Sequence, residues 1–168
     1  HRMALLGGVG LIALVAFILI GSVLYTEKYA NRNDVVHRLE APSSGHYFGT
    51  DSIGRDLFAR VIYGGQISLI IGLLSVALAL LLGTTIGGLA GYYGGGLDSI
   101  LMRFTEAALS IPSLFLLIIL GKLFGSEIPT LRLMGRTFSG SVIVVILVIG
   151  LTSWMYLARI VRANILSL

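Results

Sequence analysis

The chain has 168 residues, of which 56% are hydrophobic and 12% are charged, and its formal net charge is +4. A water-soluble domain of this length cannot bury so much apolar surface, so the composition indicates an integral membrane protein. The basic residues are scattered among acidic ones without a run, which argues against nucleic acid as a partner. The absence of cysteine excludes disulfides and thiolate chemistry. His1, His37 and His46 show no metal-ligand spacing, so no metal or other cofactor is expected.

Residues 1–25 are predicted to form the first transmembrane helix. The run from Ala4 to Tyr25 carries no charge, and a helix needs about 20 apolar residues to cross a bilayer. A signal peptide is the alternative, because Arg2 precedes the run. The run exceeds the usual apolar core of about 7–15 residues, and no small-x-small cleavage pattern closes it. A retained helix is therefore favoured.

Residues 26–65 are predicted to form a polar segment that ends in an interfacial helix. The sequence Pro42-Ser43-Ser44-Gly45 is typical of a turn. Between Asp56 and Tyr63, four apolar side chains share one helical face, while Asp56 and Arg60 lie on another. This pattern predicts a short helix that lies on the membrane surface.

The eight residues 49–56 are the most informative part of this segment. Two glycines and four polar residues define its pattern: Gly49, Thr50, Asp51, Gly54, Arg55 and Asp56. The glycine spacing matches a phosphate-binding loop, but such a loop needs Lys followed by Ser or Thr, where this chain has Arg and Asp. The residues favour a tight turn in which Thr50 or Asp51 caps a helix, with an ion-pair cluster beside it. A functional contact is the alternative.

The second predicted membrane span, Gln66 to Leu97, carries small residues four positions apart: Ser75, Ala79, Gly83, Gly87 and Gly91. These share one helical face and let another helix approach closely. We interpret the stripe as a helix-packing contact, with a sliding contact during transport as the alternative. Three glycines at 94–96 predict a turn, after which Asp98 is expected to cap the next helix.

The third predicted span, Ile100 to Phe124, is interrupted by Arg103, Glu106 and Pro112. The two charges lie about one helical turn apart and predict an ion pair at the membrane boundary. Residues that line or gate a pathway are the alternative. Pro112 is expected to kink the span or to end an initial segment.

The fourth predicted span, Ser141 to Ala158, ends in Trp154 and Tyr156 and is followed by Arg159 and Arg162. Long apolar spans without strict alternation argue against strands. The expected fold is therefore an all-α polytopic transmembrane bundle with about four membrane helices.

Charge alone leaves the orientation of these spans open. With a cytoplasmic N-terminus, the inside segments carry four basic residues: Arg2, Arg103, Arg159 and Arg162. The outside segments carry eight: Lys28, Arg32, Arg38, Arg55, Arg60, Lys122, Arg132 and Arg136. Read literally, the positive-inside rule favours the opposite orientation.

The segment 49–56 and its flanks resemble the signature of permease subunits in dipeptide, oligopeptide and nickel ABC importers. Further similarity lies in the following runs: Ile62–Leu69, Gly91–Asp98, Met102–Arg103, Glu106, Ile111–Ser113 and Trp154–Ala163. The resemblance implies half of the translocation pathway of an ATP-driven importer of peptides or related small solutes. Residues 66–168 would begin the permease core and would end before the Glu-Ala-Ala coupling loop. The N-terminus and Arg159 would be cytoplasmic, with 49–56 outside.

The resemblance also implies a multi-pass protein of a prokaryotic inner or plasma membrane that alternates between outward- and inward-facing states. Its partners besides lipid would be a homologous permease, ATP-binding cassette subunits and an extracytoplasmic substrate-binding protein. ATP hydrolysis would occur in those other subunits, so the chain is not expected to be an enzyme. A secondary transporter or channel is the alternative, but only Arg103 and Glu106 approach the mid-membrane charges that ion coupling needs. The sequence singles out no substrate-binding residue.

Overall fold

The computed structural model describes residues 2–133 and 136–167. In these residues the chain forms the following elements: α1 Arg2–Leu24, α2 Glu27–Ala30, a 3₁₀ helix Val35–His37, α3 Leu57–Tyr93, α4 Gly95–Leu109, α5 Ser113–Phe124, β1 Leu131–Leu133, β2 Arg136–Phe138 and α6 Gly140–Leu166. Helices α1, α3 and α6 are long and apolar enough to cross a membrane, and α4 with α5 forms a pair bent by 74° that also qualifies. The predicted all-α membrane bundle is confirmed. The short antiparallel hairpin β1–β2 is an addition that the sequence did not predict.

The chain divides into two compact units, His1–Ile70 and Ile71–Leu168. In the first unit, α1 packs against the first turns of α3 through reciprocal contacts of a glycine with an isoleucine. A Cβ on Gly21 would lie 2.8 Å from Ile62 Cδ1, and one on Gly65 would lie 2.9 Å from Ile18 Cδ1. Since the contacts run in opposite directions along the two helices, α1 and α3 are antiparallel. Only Ile18 and Gly21 of α1 are buried, so nearly all of its apolar surface is exposed in this chain.

The predicted interfacial helix is not a separate element. Residues 57–63 form the first turns of α3, which continues without a break to Tyr93. Glycine inside a helix costs about 1 kcal/mol relative to alanine, yet α3 does not end at the pair Gly64-Gly65. Instead, Gly65 admits the side chain of Ile18, and this packing offsets the low helix propensity.

In the second unit, α6 is the central element. Its buried residues Trp154, Met155 and Ala158 pack with Ala79 of α3, and Ala108 and Leu109 of α4 lie against them. Trp154 is 5% exposed, and its ring stacks on Phe104 with the centroids 6.1 Å apart. Helix α6 continues past Trp154 to Leu166, and the position of Trp154 at the end of the membrane span remains a prediction.

Contacts between α3 and α6 advance in the same direction along both helices. The Ser75 hydroxyl donates to the Ile146 carbonyl at 3.2 Å. Farther along, a Cβ on Gly83 would lie 2.8 Å from Leu157 Cβ, and one on Gly91 would lie 2.9 Å from Ile165 Cβ. The two helices therefore run parallel.

The bent pair α4–α5 must return the chain to the starting side before α6 can run parallel to α3. At one end, Asp98 of α4 pairs with Arg162 near the end of α6. At the other end, the residue after α5, Gly125, lies against Ser141 in the first turn of α6. The pair thus passes along the length of α6 in the opposite direction. This course makes α4 with α5 a fourth candidate crossing in the described residues.

Candidate functional site

The loop formed by residues 49–56, called the 49–56 loop below, depends on two glycines with a left-handed backbone. The φ angles are +73° at Gly49 and +79° at Gly54. A Cβ on Gly49 would collide with the carbonyl oxygen of Glu40, and a Cβ on Gly54 with that of Asp34. Both conformation and space therefore require glycine at these positions.

Thr50 joins the 49–56 loop to the chain that precedes it. Its side chain is buried, and its hydroxyl donates to the His37 carbonyl. The same oxygen accepts a hydrogen bond from the backbone N–H of Glu40 at 2.9 Å. Thr50 also forms an antiparallel bridge with Asp56, which closes the loop at its base.

Asp51 organises the interior of the loop. Its Oδ1 accepts hydrogen bonds from the backbone N–H groups of Ile53 and Arg55, each at 3.0 Å. Its Oδ2 pairs with Arg55 Nε at 2.7 Å and with Arg60 Nη1 at 2.8 Å. The hydrogen bond from the N–H of Arg55 lowers the pKa of Asp51 most, followed by the Arg55 guanidinium and the N–H of Ile53. Together they hold this pKa far below its usual value of 3.8, although desolvation acts in the opposite direction. Asp51 is therefore a permanently charged centre of the loop.

Asp56, not Thr50 or Asp51, caps α3. Its Oδ1 accepts a hydrogen bond from the backbone N–H of Ala59 at 2.8 Å, as an N-cap residue does. Its Oδ2 lies 2.8 Å from His46 Nδ1. The predicted ion-pair cluster thus divides in two, with Arg55 on Asp51 and His46 on Asp56. His46 and Arg60 were not predicted to take part, because nothing in their spacing links them to these aspartates.

An aromatic cluster lies beside the loop and was also missed. The ring of Phe58 meets four others at centroid distances of 5.1–5.8 Å, in edge-to-face geometry: Phe17, Tyr25, Tyr47 and Phe48. Such pairs stabilise beyond their buried area. Phe58 therefore fixes the start of α3 to α1 and to the residues just before the loop.

The predicted small-residue stripe lies along α6. Ser75 bonds to α6, and Ala79 packs in the cluster that contains Trp154. A Cβ on Gly87 would lie 2.9 Å from Ala158 Cα and closer still to the Ala158 carbonyl oxygen. With Gly83 and Gly91, these residues occupy one continuous contact with α6. A sliding role for this contact remains a prediction.

The predicted ion pair between Arg103 and Glu106 is wrong. Both residues lie on α4 and are exposed in this chain, and no ion pair joins them within residues 2–133 and 136–167. Thr105, between them, is fully buried, so the two charged residues project from other sides of α4 than the one that packs inward. Pro112 lies in the break between α4 and α5, where the sequence predicted a kink or an end.

Asp98 does not cap α4, since Gly94 with φ +60° precedes the helix without a side-chain cap. The Arg162 guanidinium instead donates bidentate hydrogen bonds to the Asp98 carboxylate, and the distance from Nη2 to Oδ2 is 2.6 Å. Bidentate pairs of this kind combine charge with fixed geometry. The pair joins residues 64 positions apart, so local sequence patterns give no signal for it.

The site offers structural organisation rather than reaction chemistry. Within the part of the chain that the structure describes, no group of three or more His, Asp or Glu side chains can hold a metal ion. The charged groups of the loop neutralise one another through the bonds given above. What the arrangement supplies is a rigid polar loop ahead of α3 and a tightly packed helix contact beyond it.

Comparison with protein families matches residues 83–168 to the family described as "Binding-protein-dependent transport system inner membrane component". Among curated proteins, the chain is 36% identical to the dipeptide transport system permease protein DppC of Alkalihalophilus pseudofirmus, over 95% of this chain and 49% of that protein. It is 35% identical to DppC of Bacillus subtilis, over 100% of this chain and 48% of the relative.

A third relative is the probable D,D-dipeptide transport system permease protein DdpC of Escherichia coli. It is 42% identical over 70% of this chain and 40% of the relative. The chain thus spans about half the length of the curated relatives that it matches.

Proposed function

The chain belongs to the family of binding-protein-dependent transport system inner membrane components, and we propose that it is part of a permease subunit in an ATP-driven peptide importer. The single observation that carries this proposal is the similarity to dipeptide permeases across the chain's whole length. Peptides or related small solutes would cross beside this subunit while ATP hydrolysis occurs in separate subunits. The chain itself would supply one wall of the path and no catalytic group.

The packing of the described helices supports a role as a membrane wall. The small residues of α3 let its backbone approach α6 closely, which is how membrane helices associate without a hydrophobic driving force between them. The bidentate contact of Asp98 with Arg162 ties α4 to the same helix. A tightly joined group of helices can move as one body when the path alternates between outward- and inward-facing states.

The proposed partners are a homologous permease, ATP-binding subunits and an extracytoplasmic substrate-binding protein. The family's description names dependence on a binding protein, which supports the last of these. In the proposed topology the N-terminus and the end of α6 are cytoplasmic. Residues 26–65, with the 49–56 loop, are then outside the cytoplasm, on the side from which a binding protein delivers solute.

The 49–56 loop is proposed to set how the chain enters α3. This role is supported by the direction of its bonds, because Thr50, Asp51 and Asp56 all bond to neighbouring parts of the same segment. Docking of the binding protein is the second candidate, supported by the exposed residues Ser52 and Ile53 at the tip of the loop.

Reconstitution of the full-length subunit with its partners in proteoliposomes tests the proposed function. We expect uptake of a radiolabelled dipeptide that requires both ATP and the loaded binding protein. Omission of either component should reduce uptake to that of empty liposomes. Uptake driven by an ion gradient in the absence of ATP would instead support a secondary transporter.

A further inference from the structure

In the proposed topology α4 and α5 form one membrane crossing, and the break between them lies inside it. Helix α5 has 12 residues and α4 has 15, so at about 1.5 Å per residue the break is up to about 18 Å from one end and about 22 Å from the other. Ser110, Ile111 and Pro112 are exposed in this chain. Irregular backbone at this depth is tolerated only where protein covers it or where it lines a water-filled cavity.

A cavity of about 380 Å³ opens at this break. One side is formed by the end of α4 and the start of α5, including Leu109, Pro112 and Ser113, and the other by α6. The volume falls within the range of about 300–1,000 Å³ that is usual for small-molecule sites. The lining on α6 includes Thr152, Ser153 and Tyr156, which lie near the middle of that helix.

The cavity carries hydrogen-bonding groups that the chain itself does not use. Thr152 donates to the Val148 carbonyl at 2.8 Å. By contrast, the hydroxyls of Ser113, Ser153 and Tyr156 form no hydrogen bond to any other described residue. All three side chains are exposed in this chain. These three hydroxyls are therefore available to a ligand that enters the cavity.

The chemistry of the lining selects a class of ligand. The residues around the cavity include no acidic or basic side chain, so the cavity provides no counter-charge for the ends of a peptide. A hydroxyl can both donate to a carbonyl and accept from an N–H. A neutral amide group presents both a carbonyl and an N–H. It therefore matches the lining better than a carboxylate or an ammonium group does.

We propose that the cavity at the α4–α5 break is a transient contact site for the amide backbone of the peptide as it crosses the membrane. This inference rests on the proposed importer function. Ser113, Ser153 and Tyr156 provide the contacts, and the bend between α4 and α5 provides the space for them. Contact through backbone amides is independent of side-chain identity, which suits a path shared by different peptides.

The first test uses the full importer and a variant that removes all three hydroxyls, Ser113→Ala with Ser153→Ala and Tyr156→Phe. The matched control removes three hydroxyls outside the cavity, Ser99→Ala with Ser167→Ala and Tyr92→Phe. We expect dipeptide uptake per ATP hydrolysed to fall by about tenfold in the cavity variant, the scale of a few lost hydrogen bonds. Binding-protein-stimulated ATPase activity should persist. Equal uptake by the cavity variant and the control would overturn the inference.

A second test covers the case in which the cavity variant fails to fold. These 168 residues contain no cysteine. In an importer whose other cysteines have been replaced, Ser153→Cys provides a single reporter, with Leu151→Cys on another face of α6 as the control. A cysteine-containing dipeptide is delivered by the binding protein and arrested with vanadate, and a thiol oxidant such as copper phenanthroline is then added to accept the two electrons. The dipeptide should form a disulfide with residue 153 far more than with residue 151. Equal cross-linking at the two positions would contradict the inference.

A Ser153→Cys thiol that stays inaccessible to water-soluble reagents in every nucleotide state would mean that a partner's side chain fills the cavity, which also overturns the inference. Failure of the proposed function is distinct from these outcomes. It would appear as wild-type complex without ATP-dependent dipeptide uptake.

Discussion

At the scale of single residues, Gly54 is the position where the 49–56 loop tolerates least change. Gly54→Ala would place a methyl group against the Asp34 carbonyl, on a backbone with φ +79°. We expect a loss of folded protein and a clear fall in thermal stability, of about 1–2 kcal/mol from the left-handed backbone alone. Size-exclusion chromatography of heated, detergent-solubilised protein measures this. Gly45→Ala is the control, since its nearest neighbour would be 3.9 Å away, and an equal loss there would contradict the explanation.

Arg55 distinguishes the two proposed roles of the loop. Its Nε pairs with Asp51 at 2.7 Å, so Arg55→Ala removes one charged partner while Arg60 remains on the same carboxylate. We expect less folded subunit but nearly unchanged transport per assembled complex. Uptake normalised to purified complex measures this. Normal assembly and full basal ATPase activity, without stimulation by loaded binding protein, would show that the loop instead contacts the partner.

At the scale of elements, the contact between α3 and α6 allows a test with two adjacent glycines. A Cβ on Gly87 would press on the backbone of Ala158, whereas a Cβ on Gly88 would meet nothing within 4 Å. Gly87→Ala should therefore force two helices apart and lower the thermal stability of the subunit. Gly88→Ala should be neutral or stabilising, because alanine is favoured in helices by about 1 kcal/mol. Equal melting temperatures would show that the close approach contributes little.

The ion pair between Asp98 of α4 and Arg162 of α6 predicts that exchanging the two charged residues restores folding that each single substitution impairs. Asp98→Arg alone would place two cations together, and Arg162→Asp alone two anions, so each should reduce the amount of folded subunit. The double variant should recover part of it, because the pair is restored in reverse. The yield of monodisperse protein measures all three variants. A double variant no better than the worse single one would indicate that the pair's orientation, not its charge, is required.

Helix existence was predictable from the sequence, whereas helix ends and long-range partners were not. Charge-free runs located α1, α3 and α6, since apolar length is a direct requirement of the bilayer. The cap of α3 was misplaced because Thr50, Asp51 and Asp56 are all good capping residues, and only the folded loop shows which one precedes the first turn. The stacking of Trp154 on Phe104 could not be predicted, because it depends on how α4 returns along α6.

At the scale of the whole molecule, the parallel course of α3 and α6 fixes which loops share a side of the membrane. With α4 and α5 as one crossing, Ser52 and Ser126 lie on one side and Gly96 and Ser167 on the other. We expect an impermeant thiol reagent to label cysteines at positions 52 and 126 in intact cells. Cysteines at 96 and 167 should be labelled only after permeabilisation. Labelling of 126 together with 96 would make α4–α5 a re-entrant loop, and labelling of 167 with protection of 52 would invert the topology.

Helix α3 has 37 residues, which at about 1.5 Å per residue gives a rod of about 55 Å. Even at a steep tilt of about 40°, a hydrocarbon layer of about 30 Å takes up only about 39 Å of such a rod. Roughly ten residues must therefore stand clear of the hydrocarbon. The charged residue Arg60 lies in the first turn, so we expect part of this excess length to lie at the end next to the 49–56 loop. The loop then begins in the headgroup region, within reach of a water-soluble protein that approaches the membrane.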